Sequence, residues 1–230
     1  MSSSSTSSKA AVAIVSGGMD SVTLAHLLAS EGYDLHLLSF DYGQRHRKEL
    51  EFAALCAGTL GARHDVVDLS SLTALLKGSA LTDGGVAVPD GHYAQENMKV
   101  TVVPNRNAMM LAIAYAVAVA EGAELVGAGI HTGDHAIYPD CRPAFAEAFE
   151  AMQRLAVEGF GNPDLRLYTP FVSITKADIV TIGHRLGVDY AKTWSCYKGG
   201  EAHCGTCGTC VERKEAFELA GVPDPTRYEA

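Results

Sequence analysis

Two stretches concentrate the reactive side chains of this 230-residue chain: Ser16-Gly17-Gly18-Met19-Asp20-Ser21 near one end, and Cys196 with Cys204-x-x-Cys207-x-x-Cys210 near the other. The first joins an apolar run of strand character (Lys9 to Ser16) to a segment, Asp20 to Ser30, whose Val22, Ala25, Leu28 and Ala29 form one helical face. Its two glycines allow positive φ and close backbone approach, exposing several N–H groups. Ser16 and Ser21 add hydroxyl donors, and the start of a helix adds partial positive charge. Such a loop cradles phosphate or pyrophosphate. It lacks the Gly-Lys-Ser/Thr ending of a Walker loop and the Gly-x-Gly-x-x-Gly spacing of a dinucleotide loop. A Ser/Gly turn that merely caps a helix is the bland alternative; the preceding strand and following helix favour the cradle.

Four clustered thiols suit a tetrahedral metal site better than disulfides, which would close very small loops here. Four soft ligands fit structural zinc, and Gly205 and Gly208 permit the tight turns of a metal knuckle. An iron–sulfur cluster competes, but ferredoxin runs continue three residues later with Cys-Pro, where this chain has Lys214-Glu215. His203 is adjacent to Cys204, yet four cysteines already fill the shell. Trp194 and Tyr197 are expected to pack this module onto the rest of the chain, and Cys56 to be a small core residue.

Arg106 stands before a strongly apolar segment and offers a fixed fork of donors for phosphate or carboxylate, against a plain solvated or capping role. His46, in a polar Arg45-His46-Arg47-Lys48 run, is more simply a bystander than an acid–base group. Glu147, Glu150 and Glu158 read as a solvated helix face.

The elements that must position these groups are legible as alternation. Strands are predicted over Lys9–Ser16, Leu35–Phe40, His64–Leu69, Glu124–Ile130 and Leu165–Pro170. Helices are predicted over Asp20–Ser30, Lys48–Leu60 (with Gly61 as C-cap), Asn107–Glu121, Pro143–Glu158 and Lys176–Leu186, the third buried on most sides. Ser70 to Thr101 has no period and reads as a functional irregular stretch. This pattern predicts a mainly parallel α/β sheet with helices on both faces, its ligands beyond the carboxyl ends of the strands.

The composition, 47% hydrophobic and 20% charged, supports a sizeable core. The balance of 18 Lys and Arg against 27 Asp and Glu gives a net charge of -9, unsuited to bulk phosphate-backbone binding. The longest uncharged apolar run, Ala108–Ala120, is shorter than the roughly 20 residues a spanning helix needs. Met1 to Ser8 is a serine-rich stretch expected to be disordered, with no secretory h-region after it. A cytoplasmic location is the expectation.

Ser-Gly-Gly-Met-Asp-Ser resembles the pyrophosphatase loop of ATP-dependent enzymes that adenylate a substrate. Further segments narrow the likeness: Phe40-Asp41-Tyr42-Gly43-Gln44-Arg45-His46, Tyr138-Pro139-Asp140-Cys141-Arg142, Thr193-Trp194-Ser195-Cys196-Tyr197 and the cysteine cluster. In this order, over about residues 10 to 220, the chain resembles the QueC family of 7-cyano-7-deazaguanine synthases. Many members have Pro-Gly-Arg-Asn where this chain has Pro104-Asn105-Arg106-Asn107; Asn tolerates left-handed geometry, so the turn is expected to survive. Ile130-His131-Thr132-Gly133-Asp134-His135 also departs from common variants, at a loop expected to border the substrate.

The resemblance implies a Rossmann-like, adenine nucleotide alpha hydrolase-like catalytic domain over residues 9–190, a zinc module over 191–222 and a tail over 223–230. It implies ATP held by Val15, Ser16, Gly17, Gly18, Met19, Asp20, Ser21, Val22, Thr23, Leu24, Ala25 and Phe40, with Mg2+. Ser16, Asp20, Ser21, Arg106 and Lys176 would serve catalysis, Lys176 as a clamp on the phosphates. Asp134, Asp140 and Arg142 would hold the substrate, a carboxylate of Asp140 on a guanine-like edge and Arg142 on the acid.

The implied reaction adenylates 7-carboxy-7-deazaguanine, lets free ammonia displace AMP, then adenylates the amide so that a second AMP leaves the nitrile. The implied partners are these small molecules and one structural zinc, without nucleic acid or membrane, in a homodimer. A tRNA-modifying thiolase of the same superfamily and a non-catalytic zinc-held nucleotide fold are the rival readings.

Overall fold

The computed structural model describes residues 9–44, 47–72, 75, 78–83, 85–92 and 96–229. The expected tail over residues 1–8 and the pair Arg45 and His46 lie outside these. Strand β1 (Ala10–Ile14) is central, paired in parallel with β2 (Asp34–Asp41) on one side and β4 (Leu125–Gly127) on the other. β3 (Arg63–Asp68) and β5 (Arg166–Tyr168) complete the parallel order β3-β2-β1-β4-β5. The chain thus runs outward from β1 to β3, then crosses back to place β4 beside β1. That reversal opens a crevice at the carboxyl ends of β1 and β4.

Two cores follow from the period of two along each strand. Val12, Leu38, Phe40 and Val126 pack with α3 (Arg106–Glu121) and α4 (Pro143–Ala156) on one face. Ala11, Ala13, Leu35, Leu37 and Leu125 pack with α1 (Met19–Ser30), α2 (Lys48–Leu60), α5 (Lys176–Arg185) and α6 (Gly208–Ala220) on the other. Small residues in β1 let both helical layers approach the sheet centre.

The predicted helices and strands recur within a few residues, and Gly61 ends α2 in the left-handed region at φ 63°. Two features depart from the expected pattern. α6 is a helix that the apolar periodicity does not predict. α3 buries only one face, Met110, Leu111, Ala114, Tyr115 and Ala118, because its other side meets solvent rather than a second layer. The Met98–Glu121 stretch has the length and apolar composition of a spanning segment, with mean hydropathy 1.3, although residues 102–105 interrupt it and the buried face of α3 lies on the sheet.

The last residues are also not a free tail. His203 and Tyr228 pair as a β-bridge, Glu229 N–H donates to the His203 carbonyl, and Asp224 accepts from the Tyr228 hydroxyl and approaches the buried Arg213 at 3.5 Å. Arg213 is fully buried and donates to Thr193 Oγ1, Ser195 Oγ and the Tyr190 carbonyl. One guanidinium therefore ties α6 to the 190–195 segment and to the chain end, each of its three nitrogens having a partner.

Candidate functional site

The crevice is lined by the loop after β1, by Phe40 near the end of β2 and Tyr42 just beyond it, by Ala128, Gly129 and Ile130 after β4, and by Arg106 at the start of α3. Gly17 adopts φ 85°, and a Cβ there would collide with the Glu49 carbonyl and lie 2.8 Å from the Ala53 nitrogen. Only glycine allows α2 to press this close against the loop. Gly18 has extended geometry and caps α1. The Ser16 and Ser21 hydroxyls lie 3.2 Å apart; Ser21 Oγ accepts from Ser16 N–H, and Ser16 Oγ accepts from Gly18 N–H at 3.3 Å. The loop is preorganised by its own serines, at a helix start whose first N–H groups have no intrahelical acceptor.

Asp20 faces the crevice from the first turn of α1. Its Oδ2 is 3.3 Å from the Lys176 ammonium, while its Oδ1 is buried without a hydrogen-bond partner. Thr175 caps α5 through a reciprocal capping box with Asp178, which fixes where Lys176 enters. Lys176 also meets Glu212 of α6 at 2.5 Å. Burial alone would depress the Lys176 pKa, but Asp20, Glu212 and Asp134 outweigh it and push the pKa up, so the ammonium stays charged. Burial in turn raises the Glu212 pKa, against the pull of Lys176. His131 is buried behind this group: its Nδ1 accepts from Gly133 N–H, so in the neutral ring Nε2 carries the proton, 3.7 Å from Asp20 and 3.5 Å from Asp134.

Arg106 follows Asn105, the sole non-glycine residue with positive φ among those described, at φ 59°. The expected turn is thus made by Asn. Arg106 donates to the Tyr42 hydroxyl at 3.3 Å and its guanidinium sits over that ring, with no carboxylate in ion-pair range among the described residues. A partly buried cation so placed is poised for an anionic ligand.

Of the expected site residues, the structure brings Val15, Ser16, Gly18, Met19, Asp20, Ser21, Phe40, Arg106, Asp134 and Lys176 to one crevice. Val22, Leu24 and Ala25 instead belong to the core on the α1 face, and Thr23 bonds to the Met19 carbonyl and the Tyr190 hydroxyl. They follow the loop along the helix but turn inward. Asp140 and Arg142 do not line the crevice. Asp140 accepts from Asn107 N–H, satisfying an orphan amide of α3, and Arg142 Nε donates to the His135 carbonyl at an exposed position. The sequence reading missed Glu49, Tyr42, Tyr197 and Glu212. Glu49 lies in an amphipathic helix and Glu212 in a charged run, where acidic residues ordinarily mark solvent.

The four cysteine sulfurs lie within 4.8 Å of one another. Backbone N–H groups of Cys204 and Cys207 donate to sulfurs of the cluster, as thiolate ligands require. Those distances admit one tetrahedral ion about 2.3 Å from each sulfur, so the donor set fits a metal. His203 is not part of it: its Nε2 accepts from Ser195 N–H and its ring packs on Trp194. Burial, aided by Arg213, lowers its pKa to about 4. Trp194 stacks on Phe52 of α2 as expected, and with Ser195, Tyr197 and Thr209 it also walls the crevice.

Residues 10–221 match the family described as queuosine biosynthesis protein QueC. The chain is 60% identical to 7-cyano-7-deazaguanine synthase of Paracoccus denitrificans over 95% of this chain and 92% of that one. It is 62% identical to the synthase of Rhizobium meliloti, over 95% and 91%. Among solved structures, U34-tRNA thiolase from Methanococcus maripaludis superposes with TM-score 0.52 at 15% identity, covering 92% of this chain and 65% of that one. NMN synthetase from Francisella tularensis gives 0.52 at 15%, covering 94% and 79%. These two share the fold: the parallel sheet of adenine nucleotide alpha hydrolase-like proteins.

Proposed function

The chain belongs to the QueC family of queuosine biosynthesis proteins, and we infer that it is an ATP-dependent ligase converting 7-carboxy-7-deazaguanine and ammonia to 7-cyano-7-deazaguanine. The observation that carries the chemistry is the meeting of three groups in one crevice: the serine-braced loop, the Lys176–Asp20 pair 3.3 Å apart, and Arg106 with no carboxylate of its own.

A carboxylate is a poor electrophile, so it first attacks the α-phosphorus of ATP and expels pyrophosphate. Amides at the start of α1, the hydroxyls of Ser16 and Ser21, and the Lys176 ammonium stabilise the charge that gathers on the departing group. Mg2+ bound at Asp20 would neutralise phosphate charge; the buried, unpartnered Asp20 Oδ1 fits a cation, and Asp134 is the nearby second carboxylate. Arg106 orients the substrate acid. Val15 and Phe40 contribute backbone and apolar walls to the nucleotide. Ammonia then displaces AMP; a second adenylation, at the amide oxygen, makes the leaving group whose loss gives the nitrile. Positioning and fixed charge supply the acceleration without a covalent nucleophile.

The cysteine cluster we assign to structural zinc, on its four thiolates and closed shell. We divide the chain into a catalytic domain over 9–190 and a metal module over 191–222, in the cytoplasm, as a homodimer acting on small molecules. The acidic balance, 27 against 18, supports a partner other than nucleic acid. Mass spectrometry of the full chain incubated with the carboxylated deazaguanine, ATP and ammonia tests the reading. It should show AMP, pyrophosphate and the nitrile in ratio; consumption of ATP without either amide or nitrile would overturn it.

A further inference from the structure

We propose that Glu49 is the base that takes the proton from the nitrogen as it adds to the activated acyl carbon. The proposal rests on the ligase reading above. Glu49 lies in the first turn of α2 and lines the crevice with Tyr42, Gln44 and Arg106. Its backbone is held against Gly17, so this turn cannot drift from the pyrophosphate loop. Among the described residues, its carboxylate makes no hydrogen bond or ion pair, unlike the other crevice acids: Asp20 faces Lys176, and Asp134 lies near His131.

Burial raises the Glu49 pKa to about 7, against the opposing pull of Arg106, so the group is poised to accept and release protons near neutrality. Arg106 is in electrostatic reach of both Glu49 and Tyr42. The cation that orients the substrate acid therefore also places the acyl carbon on the side of this carboxylate.

The steps balance. As the C–N bond forms, the nitrogen gives one proton to Glu49, and the C–O bond to AMP breaks with its electron pair leaving on the AMP oxygen. Glu49 returns that proton to solvent. In the second round the amide oxygen attacks the α-phosphorus, and pyrophosphate leaves. The nitrogen then loses its two remaining protons, one after the other through Glu49, while the second C–O bond breaks to release AMP and leave C≡N.

Single-turnover assays on the metal-loaded full chain separate this step from adenylation. Glu49→Gln should slow amide formation about 10²–10⁴-fold, the range of a general base, while slowing the first pyrophosphate release by less than about tenfold. Hydroxylamine, neutral at pH 7 and strongly nucleophilic, should restore acyl capture to the variant as the hydroxamate. Glu49→Asp should recover at least about tenfold of the lost rate, keeping the test independent of any folding defect in the amide variant. The proposal is overturned if pyrophosphate release and amide formation fall together, or if amide formation persists within about threefold of the parent. A parent chain that releases no pyrophosphate overturns the ligase reading itself, a distinguishable failure.

Discussion

Glu212 holds the Lys176 ammonium at 2.5 Å from the far side of the pyrophosphate loop, two residues beyond the last cysteine of the cluster. The lysine that faces Asp20 is thus aimed by the helix that carries the last cysteine of the cluster. Replacing Glu212 with Gln should leave metal content intact and lower kcat for pyrophosphate release about tenfold, with a smaller change in KM for ATP. Lys176→Met should cost about 10²–10³-fold, the scale of losing one preorganised stabilising donor. Equal losses in the two variants would show that Glu212 is more than a positioning group.

Removing the metal should propagate along the same path. Cys207→Ser is expected to bind less than the parent's metal, measured by elemental mass spectrometry, and to lower Tm by roughly 5–15 °C, since each kcal/mol moves a chain of this size by about 2–4 °C. Zinc, rather than iron, should be the metal recovered from the parent.

Gly17→Ala places a methyl group against the backbone of α2 at a positive φ. A loss of about 3 kcal/mol or more is expected in denaturant unfolding, because backbone on backbone has no soft partner to yield.

At residue 105 the left-handed turn tolerates Asn and would tolerate Gly. Asn105→Gly should change stability by less than about 0.5 kcal/mol, and Asn105→Val should cost about 1–2 kcal/mol, the strain of a branched residue in that region.

Stability should also carry the signature of Glu49. Its folded pKa of about 7 lies above the ordinary 4.5, so the favourable contribution is complete below pH 4.5 and fades as pH rises through 7. Arg106 and Tyr42 are the titratable groups facing it, and both stay protonated across this window. Without substrate, Glu49→Gln should therefore be more stable than the parent at pH 8 by about 1–3 kcal/mol and nearly equal at pH 4.5. A gap that widens towards acid pH would contradict this.

The alternation of apolar runs with helical faces exposes the sheet, and the Ser-Gly-Gly and Cys-x-x-Cys spacings point to two candidate centres, because each depends on local chain geometry. The place of Arg106 and Lys176 in the crevice is legible from their position at helix starts. Glu49 and Glu212 are not: their roles come from contacts across the fold, Gly17 against α2 and α6 against α5. Asp140 and Arg142 show the converse: in the structure their polar groups bond to the chain itself. A loop rich in polar side chains looks like a ligand site until the amides and carbonyls it must satisfy, those of Asn107 and His135, are known. α6 was hidden because knuckle cysteines interrupt its first turn.

The placement of Thr209 and Glu212 has a cellular corollary. On the zinc assignment, nascent chains that have yet to acquire their ion would lack one side of the chamber and the grip on its lysine, and would sit idle instead of squandering nucleotide. Ion supply would then set the fraction of working molecules.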